Sequence, residues 1–177
     1  MPSPERREHD LVELVRGAVL LQRNAQPEVE IDLDVSVEHA LAEVDATMIG
    51  QALTNIIKNA GEAIESLYEK GAPDGYSPRI LVAMGCEGNE ARITITDNGI
   101  GLPEDRSRLF EPYVTTREKG TGLGLPIVKK IIEEHGGTLT LSDGAAWDDS
   151  GHFGAQATIC LALKGSNKTT EKQELAV

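Results

Sequence analysis

The chain has 177 residues, 40% hydrophobic and 26% charged, as expected of one globular domain with a real core. A net charge of -12 excludes a nucleic-acid partner, since binding a phosphate backbone needs a basic face. No apolar run reaches the roughly 18 residues of a membrane span, and the polar start MPSPERREHD is unlike a signal peptide.

Residues 10–24 carry Leu11, Leu14, Val15, Ala18 and Val19 at helical spacing, and Pro27 stops that helix. Residues 28–34 alternate as a strand, and 40–44 suit a short second one. Asp45 is placed to cap a long helix running to about Lys70. Its apolar stripe is Met48, Ile49, Ala52, Leu53, Ile56, Ile57, Ala60, Ala63, Ile64 and Leu67. Residues 79–86 and 91–97 form a hairpin around Glu87-Gly-Asn-Glu90, and a polar, Gly-rich stretch follows to about Thr121. A helix over 123–135 closes at Gly136-Gly137, before strands at 138–142 and 155–163. The element order predicts an α+β fold, a mixed sheet with helices on one face. Cys86 and Cys160 sit in apolar stretches without metal-ligand spacing, which predicts buried, reduced thiols. Residues 1–9 read as a linker, 10–164 as the domain and 165–177 as a disordered tail.

Three groups of residues carry chemistry. Asn55, Lys58, Asn59 and Glu62 lie at i, i+3, i+4 and i+7, on one polar face of an otherwise apolar helix. A solvated outer face explains them, as does a ligand-facing stripe with amide oxygens for a hard cation and a Lys for phosphate. DNGIG, residues 97–101, follows a strand and lets the backbone approach a ligand, or is a plain turn. GTGLGL, residues 120–125, opens a helix with free N–H groups for an anion, or is a hinge. It lacks the GxxxxGK[ST] spacing of a Walker A loop and the βαβ setting of a dinucleotide fingerprint.

In this order the motifs resemble the GHKL superfamily of ATPases and kinases. NIIKNA (55–60) matches the N box, DNGIG the G1 box and GTGLGL the G2 box, while FEPYVTT (110–116) matches the F box of histidine kinases. The stretch FEPYVTTREKGTGLGL is most similar to sensor kinases of the nitrogen-regulation (NtrY and NtrB) type. The resemblance implies the two-layer α/β sandwich of the Bergerat ATP-binding fold, about five strands covered on one face by three helices. It implies Mg-ATP as cofactor, with Asn59 ligating Mg²⁺ and Lys58 offsetting phosphate charge. Asp97 would read the adenine 6-amino group, and Gly99 and Gly101 would let the backbone, with Ile100, pass close to the purine. Gly120, Thr121, Gly122, Leu123 and Gly124, leading into Leu125, would cradle the phosphates. Thr115, Thr116, Arg117 and Lys119 would form a lid anchored by Phe110, and Asn55 and Glu62 complete the helix face. The catalytic set is Asn55, Lys58 and Asn59.

In hydrolysing relatives (MutL, gyrase B and Hsp90) a Glu one turn before the metal-binding Asn activates water. Here that position is Asn55, and an amide cannot take the proton. Glu62 lies on the wrong side of Asn59 for the role. The pattern implies γ-phosphoryl transfer to a histidine on a separate dimerisation domain, then to a response regulator. The alternatives are a hydrolysing clamp and a non-catalytic nucleotide-binding scaffold. Among His9, His39, His135 and His152 none sits in an acceptor-like helical hairpin: His9-Asp10 precedes the first helix, and His135 suits a helix C-cap. GAQATI stands where many relatives have Gly-Thr in the last strand. The resemblance further implies a cytoplasmic, monomeric domain with no membrane contact of its own, from a homodimeric parent whose anchoring in the inner membrane stays open.

Overall fold

The computed structural model describes residues 3–107, 109–111, 124–146 and 152–164. Helix α1 (Leu11–Ala25) begins where the Asp10 side chain accepts the Val12 N–H, and ends where the Gln26 N–H reaches the Gln22 carbonyl, one residue before Pro27. Helix α2 (Ala46–Lys70) has Asp45 as N-cap, accepting from the Met48 N–H at 3.1 Å, and stops at Gly71 with φ 104°. All ten residues of the expected stripe are buried. Helix α3 (Gly124–Glu134) ends at Gly136, whose φ of 72° lets the Gly137 N–H return to the Ile132 carbonyl.

Strand β1 (Arg7–Asp10) pairs antiparallel with β3 (Leu41–Val44) as a separate ribbon. The sequence reads 1–9 as linker because REHD has no apolar alternation. The strand forms through backbone pairing with β3 rather than through a buried face. The remaining strands are β2 (Glu30–Val35), β4 (Arg79–Glu87), β5 (Glu90–Asp97), β6 (Thr138–Asp143) and β7 (Ala155–Ala162). They form one five-stranded sheet in the order β2-β4-β5-β7-β6, parallel only between β2 and β4. Gly88, with φ 59°, turns the β4–β5 hairpin at the expected place.

Ile80, Val82, Met84, Ile93, Ile95, Ile159 and Leu161 point from the sheet to the helices and are buried. The alternate positions Leu81, Ala83, Thr94, Thr140 and Gln156 form the opposite face, away from the helices. The expected α+β sandwich, a mixed sheet covered on one face by three helices, is therefore what the chain adopts. Cys160 is half-buried and Cys86 is exposed, contrary to the expected burial of both. Cys86 is the last residue but one of β4, beyond the point where the alternating burial of that strand ends. The expected tail at 165–177 lies outside the described residues.

Asp10 joins the ribbon to the domain, since its carboxylate also accepts the Ala40 N–H at 3.0 Å and meets His39 Nδ1 at 2.7 Å. Burial pushes its pKa up, but the Ala40 N–H, the His39 ring and the Val12 N–H outweigh that and hold it below the usual range. A carboxyl held low in the fold contributes stability above about pH 4 and loses it as pH falls through the folded value. The bond to Asp10 raises His39, so the His39 part of the pair is lost as pH rises through that raised value. Asp10→Ala is expected to destabilise the domain by about 1–2 kcal/mol at pH 6, the usual cost of a lost N-cap. Urea denaturation should show the deficit shrinking toward pH 3.

Candidate nucleotide site

The site lies where the end of β5 meets the middle of α2. Asp97, the last residue of β5, is 5% exposed, and its Oδ1 accepts the Gly99 N–H at 2.8 Å. The Ala155 N–H approaches the same oxygen more weakly at 3.4 Å. Gly154 presses on this carboxylate: a Cβ there would stand 2.5 Å from Oδ1. A side chain at position 154 would displace the group expected to read the base.

The turn after Asp97 is fixed to the helix. The Ile100 N–H donates to the Ala63 carbonyl at 2.9 Å, and a Cβ on Gly99 would lie 2.5 Å from the Ala63 carbonyl carbon. The steric demand for glycine at position 99 thus comes from the α2 backbone. Gly101 has φ 82°, a left-handed conformation that favours glycine, and lies beside the Phe153 and Gly154 carbonyls.

On α2, Asn55, Asn59 and Glu62 are half-buried and Lys58 is exposed, sharing one face as expected. The first residue of α3, Gly124, reaches this face: a Cβ on it would be 3.4 Å from Asn59 Oδ1 and 3.5 Å from Nδ2. The amide expected to hold the metal therefore stands at the start of α3, where the helix dipole favours an anion. Leu125 packs on the core behind it. Phe110 is half-buried, with the Lys129 ammonium of α3 4.6 Å from its ring centroid.

The structure thus brings Asn55, Lys58, Asn59, Glu62, Gly124 and Leu125 together on α2 and α3, and joins Asp97, Gly99 and Ile100 to α2 through Ala63. Thr115, Thr116, Arg117, Lys119, Gly120, Thr121, Gly122 and Leu123 lie outside the described residues.

The sequence profile of the family described as histidine kinase-, DNA gyrase B- and HSP90-like ATPase matches residues 44–165, which span both α2 and the Asp97 turn. The chain belongs to this family. It is 46% identical over 172 residues to nitrogen regulation protein NtrY of Azorhizobium caulinodans, covering 97% of this chain and 21% of the relative. It is 35% identical over 136 residues to sensory histidine kinase/phosphatase NtrB of Vibrio alginolyticus, covering 74% and 38%. The chain thus spans well under half of either relative, and the motif resemblance to the nitrogen-regulation type is borne out. Among solved structures it resembles the nucleotide-free catalytic domain of histidine kinase ThkA, with TM-score 0.72 and 27% identity, covering 89% of this chain and 95% of that one. It also resembles ThkA in complex with response regulator protein TrrA, with TM-score 0.68 and 25% identity, covering 93% and 43%.

Sequence reasoning missed Gly154, Lys129, Tyr76 and His152, the last two of which contact the Asn98 carbonyl behind the Asp97 turn. Gly154 opens GAQATI, the run already set beside Gly-Thr, and carried a faint signal there. The others are ordinary helix and loop residues whose importance arises only from what they touch.

Gly99→Ala is expected to destabilise the domain by at least about 1–3 kcal/mol, because the obstacle is helix backbone that cannot yield. Gly17→Ala, at an exposed helical position with nothing within 4 Å, should instead raise stability by roughly 0.5–1 kcal/mol. Melting curves of the two variants check the pair.

Proposed function

We propose that this domain binds Mg-ATP along the α2 face and donates the γ-phosphoryl group to a histidine on a separate dimerisation domain. A response regulator receives the group next. The observation that carries this reading is Asn59: its amide borders the first residue of α3, on the helix whose turn partner places Asp97 at the end of β5.

The donor set suits the cofactor. Mg²⁺ keeps several waters and takes one or two protein oxygens beside the phosphates, so one half-buried amide oxygen is an adequate protein ligand. Mg²⁺ held there would supply neutralisation of phosphate charge. Lys58, on the same face, adds a cation in a chain of net charge -12, and the start of α3 adds N–H donors. Asp97 is held as an acceptor by the Gly99 N–H, the polarity that suits the adenine 6-amino group and opposes a 6-oxo group. Phosphoryl transfer asks mainly for positioning and charge stabilisation, which rigid elements supply.

Asn55 directs the reaction toward transfer. It lies one turn before Asn59 on the same face, half-buried, and cannot accept a proton from water. ThkA, similar to this chain, has been solved with a response regulator, and NtrY and NtrB are named as nitrogen-regulation and sensory kinase proteins. These names support the same partners here. We place the domain in the cytoplasm, as a monomer within a homodimeric parent. Among the described residues no helix is long and apolar enough to cross a membrane.

Asn59→Ala is expected to remove the Mg²⁺-dependent part of ATP affinity while leaving the melting temperature of the free protein within a few degrees. Calorimetry with and without Mg²⁺ measures it, and unchanged Mg-ATP binding places the metal elsewhere.

Alone, the chain should release phosphate from ATP very slowly and take up no label from γ-labelled ATP. Adding a dimerisation domain with its acceptor histidine should yield acid-labile label on that partner. Label on His9 of this chain, or rapid phosphate release without a partner, refutes the assignment.

A further inference from the structure

His152 is absorbed by none of the roles above, yet it touches the base-reading turn twice. Its Nε2 lies 3.1 Å from the Asn98 carbonyl oxygen and 2.9 Å from that of Gly99. Both partners only accept, so Nε2 carries the proton and donates to the pair. The Tyr76 ring meets the imidazole edge-on, with centroids 6.3 Å apart, and Tyr68 meets Tyr76 at 5.3 Å. The Tyr76 hydroxyl lies 2.9 Å from the same Asn98 carbonyl oxygen and 3.0 Å from Asn98 Oδ1. Burial pushes its pKa well above the ordinary phenol range, so it stays a donor. The Asn98 side chain completes the anchor, accepting from the Arg79 N–H at 2.9 Å and donating to the Ser77 carbonyl at 2.8 Å.

Peptide planarity gives these contacts their reach. The Asn98 carbonyl shares a rigid plane with the Gly99 N–H, which holds Asp97 Oδ1. The Gly99 carbonyl shares a plane with the Ile100 N–H, which ties the turn to Ala63 of α2. One imidazole N–H therefore fixes, from the rear, both the peptide unit that holds the Asp97 carboxylate and the one that ties its turn to α2.

We propose that His152 is a positioning residue for purine recognition, setting through the Asn98 and Gly99 carbonyls how well Asp97 distinguishes a 6-amino from a 6-oxo purine. This rests on the reading of Asp97 as the base-reading group.

The test compares His152→Ala, His152→Gln and His152→Asn with the wild-type chain, using calorimetric Kd for ATP and GTP and the melting temperature of the free protein. Gln can place an amide N–H where Nε2 stands, whereas Asn reaches only the Nδ1 position. His152→Ala should weaken ATP binding about tenfold, equivalent to about 1.4 kcal/mol, and move the ATP-to-GTP affinity ratio toward one. His152→Gln should recover most of both, and His152→Asn neither. A purely structural role would shift melting temperatures and leave the ratio unchanged. Should the Ala variant fail to fold, the Gln and Asn variants decide. Wild-type affinity and ratio in His152→Ala, or Gln no better than Asn, overturns this proposal alone. A wild-type chain that binds no ATP, or binds both nucleotides equally, overturns the reading of Asp97 along with it.

Discussion

The Ile100 N–H donates to the Ala63 carbonyl at 2.9 Å, and Gly99 lies so close to α2 that any side chain would strike its backbone. A strand end and a helix middle are thereby joined backbone to backbone. Side chains at such a junction would act as flexible spacers and let Asp97 drift relative to Asn59. Without them, the separation between the expected base-reading group and the expected metal ligand is set by a helix rise and one hydrogen bond, both stiff. The left-handed Gly101 then turns the chain away beside the Phe153 and Gly154 carbonyls.

An acidic chain that is to hold a polyphosphate must build its attraction locally. With a net charge of -12, the overall field repels the ligand, and screening weakens that repulsion beyond a Debye length of about 8–10 Å. Short-range donors then decide. On the proposed reading the start of α3 against Asn59 and the exposed Lys58 would supply them. The nearest acid in sequence, Glu62, lies one turn farther along α2, beside the segment that meets the Asp97 turn. On the proposed reading charge is divided along the helix, with Glu62 toward the expected base end and Lys58 toward the expected phosphate end.

What was legible in the sequence was local. Asp45 announces α2 because an N-cap acts within its own first turn, and the stripe from Met48 to Leu67 because helical periodicity is a property of one segment. The boxes were legible for the same reason, each being a short run that turns or exposes backbone in a recognisable way. Strand β1 was not, because REHD has no apolar alternation and pairs through its backbone with β3, some thirty residues away. His152 was not, because it acts on carbonyls 53 and 54 residues earlier in the chain, and nothing in GHFGA marks a donor. The exposure of Cys86 escaped because it depends on where the alternating burial of β4 ends.

The same distinction between local and assembled order explains the end of the domain remote from the candidate site. Asp45 caps α2, yet its carboxylate also accepts the Glu5 N–H at 3.0 Å, and its own N–H donates to His135 Nε2 at 3.0 Å. That ring, 7% exposed, has its Nδ1 2.8 Å from the Ile131 carbonyl in the last turn of α3, so Nδ1 donates there while Nε2 accepts from Asp45. The Arg6 guanidinium reaches the Glu134 carbonyl beside it. His135 therefore caps its own helix, as the sequence suggested, and also joins the C-terminus of α3 to the N-terminus of α2. Two antiparallel helices tied at one end by a buried imidazole, and in contact at the other through Gly124 and Asn59, cannot slide past each other without breaking the half-buried Asp45–His135 hydrogen bond. The segment that leads into β1 is bonded to both, Glu5 to the α2 cap Asp45 and Arg6 to Glu134 of α3. Its placement constrains the two helices as a pair, and through them the spacing of Asn59 from the start of α3.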